Sequence, residues 1–75
     1  MKPEPIYSAI GTRLQGHRVR SGLTQEDLAI RLKFPLNTVR RAESGSVRTP
    51  LHRLQRIAEA LGVKLATLLR EAETQ

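Results

Sequence analysis

The chain has 75 residues, no cysteine and a formal net charge of +6. At this length folding buries only a modest core, so a deep catalytic cleft is not expected. The absence of cysteine excludes disulfides, thiolate zinc sites and thiol nucleophiles. We therefore expect one domain over residues 1–75, with its core over 6–72, held together by packed helices or by dimerisation.

The sequence contains no recognisable membrane or secretory segment. No apolar run approaches the roughly 20 residues that a helix needs to cross a bilayer. The start of the chain, Met-Lys-Pro-Glu-Pro-Ile-Tyr, lacks the apolar stretch of a secretory signal. The sequence thus predicts a cytoplasmic protein without a membrane partner.

The positive charge is concentrated in the first two thirds of the chain. Residues 8–56 contain ten Lys or Arg and three Asp or Glu, whereas residues 57–75 contain two and three. Such a surface indicates a polyanionic partner or, alternatively, a charge that serves solubility. With one Tyr, one Phe and no Trp, the chain lacks platforms on which single-stranded bases stack, which favours duplex DNA over single strands or RNA loops.

The first predicted helix runs from about Ile6 to Arg20. Its apolar inner stripe consists of Ile10 and Leu14. Two glycines lie inside it, and each costs roughly 1 kcal/mol relative to alanine in a helix. This helix, with Gly11 and Gly16 in its interior, therefore depends on tertiary packing.

The second predicted helix, residues 25–32, has the clearest start signal. Thr24 is a typical N-cap residue, and Asp27 lies three residues later as its capping-box partner. Because the helix dipole favours acidic side chains in the first turn, Glu26 and Asp27 are interpreted as first-turn acids rather than as a general acid/base pair. The inward-facing residues are Leu28, Ala29 and Leu32.

Three more helices are predicted after a tight corner at residues 33–35. Proline lacks a backbone N–H and suits the first turn of a helix, so Pro35 and Pro50 are interpreted as helix starts, with Thr49 as the N-cap of the later helix. The predicted spans are about 35–44, 50–61 and 64–73. The apolar residues at helical spacing are Val39 and Ala42, then Leu51, Leu54, Ile57, Ala58 and Leu61, and finally Leu65, Leu68, Leu69 and Ala72.

The third helix has the character of a DNA-reading helix. It is short and polar on its outer face, and a corner joins it to a bracing helix. Arg suits a bidentate contact with guanine and Asn with adenine, and one helical turn separates Asn37 from Arg41. Leu36 is expected to contact a thymine methyl, and Thr38 a methyl or a phosphate. We predict that Leu36, Asn37, Thr38 and Arg41 read bases.

Other polar residues around this helix are predicted to contact phosphates. Such contacts position a protein on DNA without specifying sequence. The residues are Gln25, Arg40, Ser44, Arg48 and His52. The alternative interpretation of the arginines is a solvated face with no ligand.

The sequence resembles the Cro/CI-type helix-turn-helix domain of phage repressors and many bacterial regulators, over about residues 8–70. The resemblance rests on Leu23-Thr-Gln-Glu-Asp-Leu-Ala, Phe34, Val39, Glu43-Ser-Gly45, Pro50 and Ile57-Ala-Glu-Ala-Leu-Gly-Val63. It implies an all-α, compact five-helix, lambda-repressor-like domain with its helix-turn-helix over 24–44. It also implies base contacts by Leu36, Asn37 and Arg41 and a phosphate contact by Gln25.

The resemblance further implies an ion pair between Arg18 and Glu43. The sequence supports it independently, because Arg18 follows Leu14 by four residues and so lies on the apolar stripe of the first helix, where a charge needs a partner. Three residues depart from the family pattern. Lys33 stands where a permissive residue such as Gly is common, Pro35 replaces a Ser/Thr-type cap, and Ala42 is smaller than the usual aliphatic residue.

The sequence therefore predicts a sequence-specific double-stranded DNA-binding transcriptional regulator, expected to be a repressor that acts as a homodimer on a palindromic operator in a bacterial or phage nucleoid. The alternative is an antitoxin that binds a toxin and represses its own operon, or an adaptor without DNA binding. A partner contact is considered at Ile30, exposed on the second helix. Dimer contacts are considered at Leu61, Leu65, Leu68 and Leu69, which otherwise belong to the core.

An enzyme is the poorest of the hypotheses. His17 and His52 lie on different helices without a nucleophile or carboxylate at a useful spacing. Both are interpreted as surface or phosphate-proximal residues. We expect no catalytic residues, no metal, no cofactor and no small-molecule ligand.

Overall fold

The fold consists of helices alone over residues 5–74, the part of the chain that the computed structural model describes. The helices are α1 (Pro5–Arg20), α2 (Gln25–Leu32), α3 (Leu36–Ser44), α4 (Leu51–Ala60) and α5 (Leu65–Glu73). The predicted all-α, five-helix class is confirmed. The ends of the predicted domain, residues 1–4 and 75, lie outside the described residues. None of the described helices is long and apolar enough to span a membrane.

Four helix starts differ from the prediction by one residue, and in α3 and α4 a proline accounts for the difference. Pro35 and Pro50 have extended ψ angles of 145°, so each precedes its helix as the N-cap and neither forms a side-chain capping bond. The prediction that Thr49 caps the fourth helix is therefore wrong. Thr49 is instead buried, with 6% of its surface exposed. The φ angle of proline suits both a helix and an extended N-cap, so sequence alone does not distinguish them.

Helix α2 begins with the predicted capping box. Asp27 N–H donates to Thr24 Oγ1 at 3.0 Å, and Thr24 N–H donates to Asp27 Oδ2 at 3.0 Å. The Thr24 backbone N–H, followed by the Thr24 side chain and Arg31, holds the pKa of Asp27 below its usual value of 3.8. The charged carboxylate is thus part of the helix start.

The core lies where the inner faces of all five helices meet. Helix α1 packs against α3 and α5, α2 packs against α3 and α4, and α4 packs against α5. The largest fully buried side chains are Leu14, Leu28, Val39, Ile57 and Leu68. Leu51, included in the predicted apolar repeat of the fourth helix, is 62% exposed, because it lies in the first turn of α4 ahead of the buried stripe.

Glycines allow α1 and α3 to touch through their backbones. A Cβ on Gly11 would clash with the Glu43 carbonyl oxygen and lie 2.6 Å from that of Ala42. A Cβ on Gly45, which ends α3 with a φ of 68°, would likewise clash with the backbone of Ser8. The sequence indicated only the helix-propensity cost of Gly11, whereas the structure shows that a close helix contact requires it.

The close contact predicts opposite effects for alanine at the two glycines of α1. Gly11→Ala is expected to lower the free energy of unfolding by about 1–3 kcal/mol, since a backbone carbonyl cannot move away without separating the helices. Gly16→Ala is the control: its Cβ would meet only the Arg20 guanidinium, at 3.6 Å or more, so it is expected to stabilise by about 0.4–1 kcal/mol. Urea unfolding followed by circular dichroism measures both, and equal effects would contradict the close contact.

The capping box predicts a pH-dependent contribution from Asp27. Because its folded-state pKa is lowered, the carboxylate stabilises the fold above its unfolded pKa, and this stabilisation disappears as the pH falls through the folded-state pKa. Asp27→Asn is therefore expected to be less stable than the wild type above pH 3.8 and equally stable once the wild-type carboxylate is protonated. The measurement is the urea midpoint of both proteins from about pH 6 to about pH 2. A difference that does not change with pH would exclude the charged carboxylate as its source.

Candidate nucleic-acid interface

The corner between α2 and α3 is built without glycine. Lys33 adopts the left-handed conformation, with φ 59° and ψ 39°, and is the one non-glycine residue with positive φ among the described residues. Phe34 N–H donates to Ala29 O at 2.9 Å and Lys33 N–H to Ile30 O at 3.1 Å, which satisfies carbonyls at the end of α2. The corner thus places a lysine in the left-handed conformation, which is strained for a residue with a Cβ.

A buried ion pair ties α3 to α1. Arg18 Nε donates to Glu43 Oε2 at 2.6 Å and Arg18 Nη2 to Glu43 Oε1 at 3.1 Å. Both side chains are nearly buried, with 10% and 5% of their surface exposed. Arg18 Nη1 also donates to the backbone oxygen of Leu23, just before α2, at 2.7 Å. One guanidinium therefore connects α1, α3 and the entry to α2.

Gln25 extends this network towards the surface. Its Nε2 donates to Glu43 Oε1 at 3.0 Å, so the Glu43 carboxylate receives three hydrogen bonds. The Gln25 side chain is half-buried. A phosphate contact by Gln25 would use the second amide hydrogen, since the first is engaged by Glu43.

The outer face of α3 carries the residues predicted to read bases. Asn37 and Arg41 are exposed one helical turn apart, while Leu36 and Thr38 are half-buried at the edges of this face. The opposite face contributes Val39, Ala42 and Glu43 to the interior, and these are at most 7% exposed. Anchoring one face in this way leaves the other free to approach a ligand. We call the surface of Leu36, Asn37, Thr38 and Arg41 the reading face.

Arg53 of α4 lies beside the reading face and was not selected from sequence. Together with Thr38, Arg41, Val47, Thr49 and Pro50 it lines a recess of about 70 Å³. Arg53 is exposed, and none of these six described lining residues is acidic. Its place in the sequence could have identified it. Arg53 lies in the first turn of α4, a helix whose start has no side-chain cap.

The other residues predicted to contact phosphates lie in α3, in the loop after it and in the first turn of α4. Arg40, Arg48 and His52 are exposed. The Ser44 hydroxyl lies 3.2 Å from Arg41 O and 2.9 Å from Ser46 Oγ, and it accepts the Ser46 N–H. A phosphate at Ser44 would therefore compete with bonds that shape the end of α3.

The residues predicted as partner contacts fall into three groups. Of the two roles considered for Leu68, the core role agrees with the structure and the contact role does not, because its side chain is fully buried. Leu61, Leu65 and Leu69 are half-buried and pack against the core while keeping some surface. Ile30 is 77% exposed on α2.

The two histidines occupy different environments. His52 is exposed in the first turn of α4. His17, predicted to be a surface or phosphate-proximal residue, instead faces α5, with Nε2 3.3 Å from Glu71 Oε1. That carboxylate is 54 residues away in the sequence, which is why spacing did not reveal it. Among residues 5–74 no group of acidic or histidine side chains is arranged to hold a metal ion.

Removing the acid of the buried pair is expected to destabilise the domain severely. Glu43→Ala leaves the Arg18 guanidinium buried without its partner and removes the acceptor of Gln25, at a cost of about 3–5 kcal/mol. A domain of this size has a total stability of about 4–11 kcal/mol, so partial or complete unfolding at 37 °C is expected. Glu59→Ala, at an exposed site on α4, is the control and should change stability by less than about 0.5 kcal/mol. An unchanged melting temperature for Glu43→Ala would refute the role of the pair.

Comparisons with known proteins agree with this architecture. Two curated relatives, from Sinorhizobium medicae and Rhizobium meliloti, are each 31% identical over 71 residues, which is 95% of this chain and 51% of theirs. Both are named as uncharacterised HTH-type transcriptional regulators, and the chain spans about half the length of these relatives.

Two solved structures and a family model also agree with this architecture. Two crystal structures of the clp gene regulator ClgR from Corynebacterium glutamicum have a TM-score of 0.85 and 26% identity, covering 99% of this chain and 94% and 78% of theirs. A family model described as a helix-turn-helix domain matches residues 9–72. These residues include all of α2, the corner and α3, and the chain therefore belongs to the helix-turn-helix domain family.

Proposed function

We propose that the protein is a transcriptional regulator that binds double-stranded DNA sequence-specifically, with the reading face of α3 in the major groove. The observation that carries this proposal is the pair of exposed side chains Asn37 and Arg41, one turn apart on a helix whose opposite face is buried. The major groove admits a helix and presents a distinct pattern for each base pair. The net charge of +6 adds attraction to the phosphate backbone.

We assign the residues of the interface to two roles: some read the base sequence, and others fix the position of the protein on the DNA. Arg41 is assigned to guanine and Asn37 to adenine, since each can make two hydrogen bonds to that base. Leu36 and Thr38, at the edges of the reading face, are assigned to thymine methyl groups. Gln25, Arg53 and the margin residues Arg40, Ser44, Arg48 and His52 are assigned to the phosphates, where contacts fix register.

We further propose that the protein acts as a homodimer on a two-fold symmetric operator and represses transcription. Helix α3 has nine residues and spans few base pairs, so a second copy supplies both affinity and specificity. Leu61, Leu65 and Leu69 keep apolar surface on the less basic end of the fold, which supports a contact between copies there. This function belongs in the bacterial cytoplasm, at the nucleoid. The antitoxin alternative gains no support from relatives that are named as transcriptional regulators.

Selection of bound sequences from a random duplex pool tests the proposal. The wild type is expected to enrich a defined site. Arg41→Ala is expected to lose about 1–3 kcal/mol on that site and to relax the preference at one base position. Arg53→Ala is the comparison, because it removes the same charge from the edge of the reading face. It should weaken binding to all sequences alike and reduce the salt dependence of binding.

Two results would contradict the assignments. Uniform weakening by Arg41→Ala over all sequences would make Arg41 a phosphate contact rather than a base-reading residue. If the wild type enriches no sequence, specific DNA binding is excluded. Sedimentation of the protein with and without the enriched duplex separately measures whether two copies bind.

A further inference from the structure

Arg56 of α4 contacts the corner between α2 and α3 on both sides of Lys33. Its Nη2 donates to the backbone oxygen of Leu32, the last residue of α2, at 3.2 Å. Its Cζ lies 4.8 Å from the centre of the Phe34 ring, a cation–π distance. One guanidinium from a third helix therefore holds the residue before and the residue after the strained position.

The corner has physical reasons to need this support. Lys33 is in the left-handed conformation, which a side chain with a Cβ adopts only when its surroundings compensate the strain. The Leu32 carbonyl belongs to the last turn of α2, where carbonyls lack helical partners and a cation is favoured. Pro35 then enters α3 without a side-chain capping bond, so α3 does not anchor its own first turn in that way.

The two ends of α3 are held by different contacts. Its C-terminal end is tied to α1 by Glu43 and by the close approach of Gly11. Its N-terminal end follows directly from the corner, where Phe34 and Leu36 pack against the core and Arg56 of α4 contacts the Phe34 ring. The reading face extends over both ends, with Asn37 in the first turn and Arg41 one turn later.

We propose that Arg56 is a positioning residue for DNA recognition: by holding Leu32 and Phe34 it sets where the first turn of α3, with Leu36 and Asn37, lies in the groove. This inference rests on the proposed function. It predicts different effects at different base positions of the DNA site. Losing Arg56 displaces the beginning of α3, while Arg18 and Glu43 continue to hold its end.

The test is the site preference of Arg56→Met, which keeps much of the side-chain length and removes the guanidinium. Discrimination is expected to fall about tenfold at the base position that Asn37→Ala relaxes. At the position that Arg41→Ala relaxes it is expected to stay at the wild-type level. Arg70→Met, at an exposed site on α5, is the control for loss of one positive charge and should keep the wild-type preference at both positions.

A second variant removes the other half of the contact. Phe34→Leu keeps an apolar side chain in the corner but lacks the aromatic face, so it is expected to relax the same base position as Arg56→Met. The double variant should be no more relaxed than Arg56→Met, since the cation–π contact that Phe34→Leu removes is already absent in Arg56→Met. Equal loss at both base positions, or a wild-type preference in Arg56→Met, would overturn the positioning role.

A measurement without DNA separates this inference from the proposed function. In the free protein, Arg56→Met is expected to shift the backbone amide resonances of residues 33–38 more than those of residues 41–45. Shifts spread evenly over α3, or absent from 33–38, overturn the role of Arg56 whatever the DNA experiment shows. If instead the wild type enriches no sequence while the shifts follow the expected pattern, the proposed function fails and Arg56 remains the residue that positions α3.

Discussion

The buried pair of Arg18 and Glu43 is the interaction on which the reading face depends. Taking two charges out of water is costly, and the attraction between them offsets that cost only when geometry is good and the remaining hydrogen-bonding groups are satisfied. Both conditions hold here. The contact between the two side chains is bidentate. Arg18 also donates to Leu23 O, and Glu43 also accepts a hydrogen bond from Gln25 Nε2. The pair therefore fixes α3 against α1 and, through the same atoms, fixes the entry to α2.

Close packing and the ion pair reinforce one another. Gly11 lets the α3 backbone lie directly on α1, and the carbonyl oxygen of Ala42 lies in the same contact. A side chain at position 11 would separate the helices and lengthen the bonds between Arg18 and Glu43. Interiors packed at this density transmit such shifts rather than absorb them. The reading face is thus positioned by contacts on the opposite side of its own helix.

The corner shows how local backbone strain is compensated elsewhere in the fold. Lys33 occupies the left-handed position and Pro35 precedes α3 without a side-chain capping bond, yet Lys33 and Phe34 donate hydrogen bonds back to α2. The compensation comes from Arg56, twenty-four residues after the carbonyl it binds. Strain of this kind persists where surrounding structure over-determines the conformation. The strained Lys33 lies shortly before Leu36, the first of the residues assigned to bases.

The sequence by itself determined the class of fold, the span of α2, its capping box and the outward set of polar residues on α3, because these depend on neighbours within a few positions. It misplaced the N-cap of α4, since proline's φ fits both roles. Only the tertiary structure decided that a close helix contact requires Gly11 and that His17 faces Glu71. It also decided that Leu68 belongs to the core and that Arg56 holds the corner. Each of these joins residues far apart in the chain, and helix periodicity defines a face without saying which other helix will cover it.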